Sequence, residues 1–239
     1  MAAPLLEVNG VVKRFGGFTA LNRVTIQVEA GERFGLIGPN GSGKTTLINC
    51  VAGSLYADEG RILFEGRDVT TLPPHRRTRL GIARTFQIPK PFASMTVREN
   101  LGIPLEYAGH ARASDEDAQV AELLREIGLE AKAHLRPAGL TQIEMRKLEL
   151  ARAMAARPKL LISDEAMAGL SSGEVDDILA ILLRLNAQGI TIIMIEHIMR
   201  AVMRFSQRIV VLDAGERIAE GTPDQIVRNP AVEKAYLGE

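Results

Sequence analysis

Gly38-Pro39-Asn40-Gly41-Ser42-Gly43-Lys44-Thr45 lies between the short apolar run Arg33–Ile37 and a segment, Lys44–Ala52, in which Leu47, Ile48 and Val51 recur at helical spacing. These residues fit G-x-x-x-x-G-K-[ST], and a strand before with a helix after is the setting that pattern requires. The glycines let the backbone curl so that successive N–H groups face one point. The helix N-terminus adds partial positive charge there. Such a loop cradles phosphates. Lys44 is expected to reach the β- and γ-phosphates of a nucleotide and the Thr45 hydroxyl to ligate Mg²⁺, with the loop from Gly38 to Thr46 as the binding surface.

A second signal lies downstream. Leu160-Leu161-Ile162-Ser163-Asp164-Glu165 is an apolar strand that ends in two carboxylates. Two acids alone read as a surface turn or a helix cap. Beside a phosphate loop, Asp164 can hold Mg²⁺ through water and Glu165 can polarise an attacking water. The next strand, 190–195, is followed by His197, whose sheet-edge position makes it a candidate γ-phosphate contact. Gln87, in Arg84-Thr85-Phe86-Gln87, stands where the sheet gives way to a helical block, and by itself says little.

Around these motifs the chain reads as α/β. Residues 5–12 and 20–28 alternate like strands, with turns at Gly16-Gly17 and Ala30-Gly31, and 60–64 with Glu65-Gly66 suggests a hairpin. The N-terminal third looks like a mixed sheet wrapped around the phosphate loop. From 94 to 156 nearly every segment is helical, as with Val120, Leu123, Leu124 and Ile127, and Ser114-Asp115 with Asp117 resembles a helix start. Strand 160–163, helix 174–187, strand 190–195 and strand 208–212 then alternate, ahead of an Ala214-Gly215 turn, which predicts a largely parallel sheet. We expect one domain over 1–239. Its nucleotide-binding core and antiparallel β subdomain take about 1–93 and 157–239, and its helical subdomain about 94–156.

Composition narrows the partners. Twenty-nine basic residues balance 29 acidic ones, so no general basic field exists to hold nucleic acid. The single cysteine excludes an intramolecular disulfide and fits a reducing compartment. The first residues lack a basic start and a long apolar stretch, so no signal peptide is expected, and no apolar run approaches the roughly 20 residues that span a bilayer. Any membrane role is expected to come through a partner.

Taken in order, the phosphate loop, Gln87, a signature region, the acidic pair and His197 resemble the ATP-binding subunits of ABC transporters along essentially the whole chain. A GTPase would need an Asn-Lys-x-Asp segment, and none occurs. By that resemblance the cofactors are ATP and Mg²⁺, and Phe15 in Lys13-Arg14-Phe15-Gly16-Gly17 stacks on adenine. Gln87 touches Mg²⁺ and the attacking water, and Ala168-Gly169-Leu170-Ser171 reports across a dimer interface. Arg84-Thr85-Phe86-Gln87, Thr96-Val97-Arg98-Glu99-Asn100-Leu101 and the ending Val232-Glu233-Lys234-Ala235-Tyr236-Leu237-Gly238-Glu239 are similar to the branched-chain amino acid transporter ATPases. The resemblance implies a second ATPase subunit, identical or paralogous, two membrane permeases and a periplasmic solute-binding protein. It also implies a cytoplasmic position on the inner face of the membrane. A soluble ABC-type ATPase not coupled to transport is the alternative. Two departures stand out. Leu140-Thr141-Gln142-Ile143-Glu144 replaces a signature usually close to LSGGQ, losing both glycines, and a β-branched Ile143 is expected to obstruct close backbone approach to a phosphate. Ala166 stands where proline usually follows the acidic pair, which affects loop stiffness.

Overall fold

The computed structural model describes residues 3–108 and 116–237. Two strands, β1 (Leu6–Phe15) and β2 (Phe18–Val28), come first, followed by β3 (Arg33–Ile37) and α1 (Lys44–Ala52). Next are β4 (Glu59–Phe64), β5 (Arg67–Asp68), α2 (Pro74–Leu80) and β6 (Ile82–Arg84). Three helices follow, α3 (Val97–Tyr107), α4 (Glu116–Ile127) and α5 (Gln142–Ala155). The chain then runs through β7 (Leu160–Asp164), α6 (Ser172–Ala187), β8 (Thr191–Ile195), α7 (Met199–Phe205), β9 (Arg208–Asp213) and β10 (Glu216–Gly221). It closes with α8 (Pro223–Val227) and α9 (Pro230–Leu237). None of the described helices is long and apolar enough to cross a membrane.

The strands form two sheets. One is antiparallel, β2-β1-β4-β5; the other runs β10-β9-β3-β8-β7-β6 and is parallel except for the β9–β10 hairpin. The expected mixed sheet of the N-terminal third is therefore split, because β3 leaves its neighbours to become an inner strand of the second sheet. Its sequence explains the move. Phe34, Leu36 and Ile37 are buried, and β7 and β8 are buried along their whole length. Strands apolar on both sides need cover on both faces, which a parallel sheet with crossing helices supplies. The antiparallel sheet packs Val8, Val24, Ile26 and Ile62 against Leu47 and Val51 of α1, so α1 is clamped between the sheets.

Helices α3, α4 and α5 share a core of their own, with Val97, Leu101, Leu105, Val120, Leu124, Ile127 and Leu148 buried together. Capping boxes start α3 (Thr96 with Glu99), α5 (Thr141 with Glu144) and α6 (Ser171 with Glu174), satisfying N–H groups that a helix start leaves unpaired. Buried Asn100 accepts from the Phe92 N–H and donates to the carbonyls of Phe92, Met95 and Thr96, which fixes the turn leading from Gln87 into α3. The suggested helix start at Ser114-Asp115 lies outside the described residues.

The structure adds α2 and β6, which the sequence reading left unassigned. Arg77 of α2 is fully buried and donates to Leu72 O (2.8 Å), Cys50 O (2.6 Å), Val51 O (2.8 Å) and Thr70 O (2.9 Å). Two of these carbonyls end α1, where a cation also meets the negative pole of the helix. Gly53 follows at φ 82°, and a Cβ there would come 2.7 Å from Arg77 Nε, so glycine is required. Arg77→Met strands several buried carbonyls and is expected to lower unfolding stability by about 3 kcal/mol or more. A urea midpoint that does not move would contradict this role.

Candidate functional site

The C-terminal end of β3 delivers the phosphate loop. A Cβ on Gly38 would fall 2.0 Å from Leu212 O, so the loop leaves the sheet where only glycine fits. Lys44 opens α1 and folds back into the loop, its Nζ donating to Gly38 O (2.8 Å), Pro39 O (2.9 Å) and Ser42 Oγ (3.3 Å). It is buried, and burial pulls its pKa down while Glu165 and Asp164 push it up. A buried ammonium bonded only to neutral oxygens is suited to a phosphate, whose charge supplies what the loop does not. The exposed Thr45 sits one residue further on, at the helix start.

Strand β7 lies next to β8 and pairs Asp164 with Ile195. Asp164 is buried and its Oδ2 accepts from Arg84 Nη2 at 2.8 Å, while Arg84 Nη1 donates to Asn49 Oδ1 of α1 at 2.6 Å. Burial pushes the Asp164 carboxyl up, and Arg84 pulls it back towards the ionised form. Among the described residues no group of three His, Cys, Asp or Glu could hold a metal alone. Thr45, Asp164 and the Gln87 carboxamide are hard oxygen donors that suit Mg²⁺, an ion that takes most of its ligands from substrate phosphates and water. They fit it on that footing.

Glu165 is where the elements converge. Its N–H donates to Ile195 O (2.9 Å) and its φ is 46°, a conformation that costs a non-glycine residue energy and occurs preferentially at functional sites. Gln87 Nε2 donates to one carboxylate oxygen, and His197 Nε2 lies 2.9 Å from the other. Three residues from three separate stretches of sequence thus meet at one carboxylate. Glu196, beside His197, is buried and pushed up to about 7 by burial; its Oε1 accepts from Met167 N at 2.8 Å. Neither Arg84 nor Glu196 was singled out from sequence. The signal for Glu196 is an acid directly after the apolar run 192–195.

At the other edge of the loop, β1 and β2 turn through Gly16-Gly17, which places Phe15 opposite Phe18. Both rings are exposed, and with Ala20 and residues 41–46 they line a shallow pocket open to the phosphate loop. Phe18 is a second aromatic wall that the sequence reading missed. Thr141 caps α5, its Oγ accepting from the Glu144 N–H, and Glu144 is also bound by Lys132 Nζ at 2.7 Å. Among the described residues none of Thr141, Gln142, Ile143 and Glu144 hydrogen-bonds to Lys44, Asp164 or Glu165. Ile143 is half-buried and packs against the main core, while Thr141 and Gln142 are exposed, with Gln142 Nε2 3.4 Å from Ala168 O.

The sequence model of the ABC transporter family matches residues 21–168. The chain belongs to that family. A second model, for the branched-chain amino acid ATP-binding cassette transporter, matches residues 216–239 of this ABC cassette. The cassette is 40% identical over 254 residues to the high-affinity branched-chain amino acid transport ATP-binding protein BraF of Pseudomonas aeruginosa, with 100% of both chains covered. Its fold matches the ADP conformation of MJ1267, an ATP-binding cassette of an ABC transporter, with a TM-score of 0.88, 35% identity and 99% of each chain covered. The dimeric structure of MJ0796, a bacterial ABC transporter cassette, matches with a TM-score of 0.83 and 26% identity, over 91% of this chain and 98% of that one. The cassette is thus an ATP-binding subunit of an ABC transporter that hydrolyses ATP to drive transport.

If the facing rings bind the base, Phe15→Ala should weaken ATP binding by roughly 10-fold and Phe18→Ala measurably, since one stacked base is worth about 1–3 kcal/mol. Titration with a fluorescent ATP analogue reads this. Unchanged affinity in both variants would place the base elsewhere.

Proposed function

We propose that this cassette powers an importer of branched-chain amino acids or closely related small solutes. It would act as one of two ATPase subunits on two membrane permeases, on the cytoplasmic side, fed by a periplasmic binding protein. Full-length likeness to BraF and the match at 216–239 support the solute class. The convergence of Gln87, Glu165 and His197 supports hydrolysis at this subunit's own phosphate loop.

The residues divide the work as follows. Lys44 and the N–H groups of residues 41–46 hold the β- and γ-phosphates. Phe15, with Phe18 opposite, covers the base. Thr45, Asp164 and Gln87 would hold Mg²⁺, which neutralises charge on the phosphate oxygens when bound. Glu165 takes a proton from the water that attacks the γ-phosphorus, so the water oxygen gains a bond to phosphorus as the β–γ bridging oxygen leaves with ADP. Gln87 and His197 each hold one carboxylate oxygen of Glu165, which fixes the plane of the carboxylate that receives the proton. His197, half-exposed at the sheet edge, lies against Glu165 and would contact the γ-phosphate of a bound nucleotide.

The helical unit, about 94–156, is the part that faces the permeases. Phe86, Ile88, Phe92 and Tyr107 are exposed around its junction with the core, and Gln87 lies among them. Permease contact there would move Gln87 relative to Glu165. The purified cassette should therefore be a slow ATPase that speeds up in the assembled transporter. Full activity without permeases, insensitive to adding them, would favour a soluble ATPase instead.

Thr141-Gln142-Ile143 would serve the partner's nucleotide, and there the side chain of Gln142 replaces a glycine backbone approach. Losing hydrogen bonds to a charged phosphate costs about 1.5–3 kcal/mol each. The cassette is expected to work best beside a paralogue with a glycine-containing signature. Gln142→Gly is the cleaner test, because Ile143 is part of the core packing. Faster turnover in the assembled transporter supports the asymmetry, and an unchanged rate contradicts it.

A further inference from the structure

The loop that follows Glu165 is gripped by two charged side chains that the hydrolytic scheme above does not use. Glu196 is 3% exposed, and its Oε1 accepts from Met167 N at 2.8 Å. Arg146 of α5 donates from Nη2 to Ala168 O at 3.1 Å and from Nη1 to Gln87 O. A buried carboxylate with no directly bonded cation costs stability, so its burial needs a return elsewhere. Among the described residues the hydrogen bonds of both groups go to backbone atoms. Met167 and Ala168 follow Glu165 by two and three residues, Gln87 donates to the Glu165 carboxylate, and Glu196 precedes His197. The two side chains therefore hold the backbone that carries all three members of the Glu165 cluster.

We propose that Arg146 and Glu196 form a brace that positions Glu165, and that Arg146 makes this position depend on where the helical block sits. Both are positioning residues, and the proposal rests on the reading of Glu165 as the base. The physical reason lies in the backbone. Glu165 holds φ at 46° and Gly169 at 78°, so the loop between them is bent at both ends and has no ladder partner of its own. Glu196 fixes it from the sheet side through an N–H. Arg146 fixes it from the helical side through a carbonyl, and spans to Gln87 with the same guanidinium. A planar fork can hold two carbonyls at once; an ammonium cannot do so with the same geometry. The Glu196 bond needs only an acceptor oxygen, which the acid, the carboxylate and a glutamine amide all provide.

The test uses the full chain with Arg146→Met, Arg146→Lys, Glu196→Ala and Glu196→Gln. A misplaced base slows chemistry without weakening the remote phosphate and adenine contacts. Arg146→Met and Glu196→Ala should lower kcat roughly 10- to 100-fold with KM for ATP within about twofold. Glu196→Gln should restore most of the rate and Arg146→Lys only part of it. Hydrogen exchange at the Met167 amide should rise in Glu196→Ala and stay slow in Glu196→Gln, a readout that needs no turnover at all. A kcat within about twofold of the unaltered chain in both truncations, or Glu196→Gln behaving like Glu196→Ala, overturns the brace. Undiminished turnover in Glu165→Gln would instead fail the reading of Glu165 as base, whereas slow exchange at the Met167 amide in Glu196→Ala overturns the brace whatever the turnover.

Discussion

One carboxylate shared between Gln87 and His197 governs the geometry of this molecule. Glu165 can meet both only if β6, β7 and β8 end at the same level, because Gln87 follows β6, Glu165 follows β7 and His197 follows β8. Parallel strands do this by construction, since their C-terminal ends lie on one edge of the sheet, where α/β proteins place their ligand sites. The register then fixes the detail: Ile162 pairs with Arg84 and Asp164 with Ile195. β3 lies on the other side of β8 and brings Lys44 to the same edge. The acid and the phosphate loop therefore depend on one sheet.

The two sheets and the helical block divide the remaining demands. The antiparallel sheet covers α1 and carries the facing Phe15 and Phe18 at the tip of its longest hairpin. The helical block has a separate core and reaches the site through Arg146, bonded to the carbonyls of Gln87 and Ala168. Leu150, Ala153 and Met154 of α5 also pack into the main core, so a displacement of α5 is felt at Glu165 through packing as well as through Arg146.

How legible all this was depended on the type of signal. The phosphate loop, Asp164, Glu165 and His197 were readable because each sits at the end of an apolar strand, where a break in hydropathy marks a sheet edge. β3, β7, β8 and β9 were readable for the same reason. α2 was not, because Pro73-Pro74-His75-Arg76-Arg77-Thr78-Arg79 shows no apolar period; its buried residue is an arginine held by carbonyls brought in by α1 and the loop before it. β6 is three residues long and carries too little pattern to stand out. Arg84 and Arg146 are ordinary charged residues in sequence, and only packing places one on Asp164 and the other on two backbone carbonyls. The inward packing of Ile143 was equally illegible, because only the fold shows that the second position of α5 faces the main core.

The role of Glu165 as the proton acceptor is the centre of this account, and Glu165→Gln tests it most directly. Glutamine keeps the size of the side chain and can still pair with Gln87 and His197, but it cannot take a proton from water. ATP affinity should stay near that of the unaltered cassette, and single-turnover hydrolysis should fall by about 10²-fold or more. Undiminished hydrolysis with unchanged affinity would remove Glu165 from the chemistry.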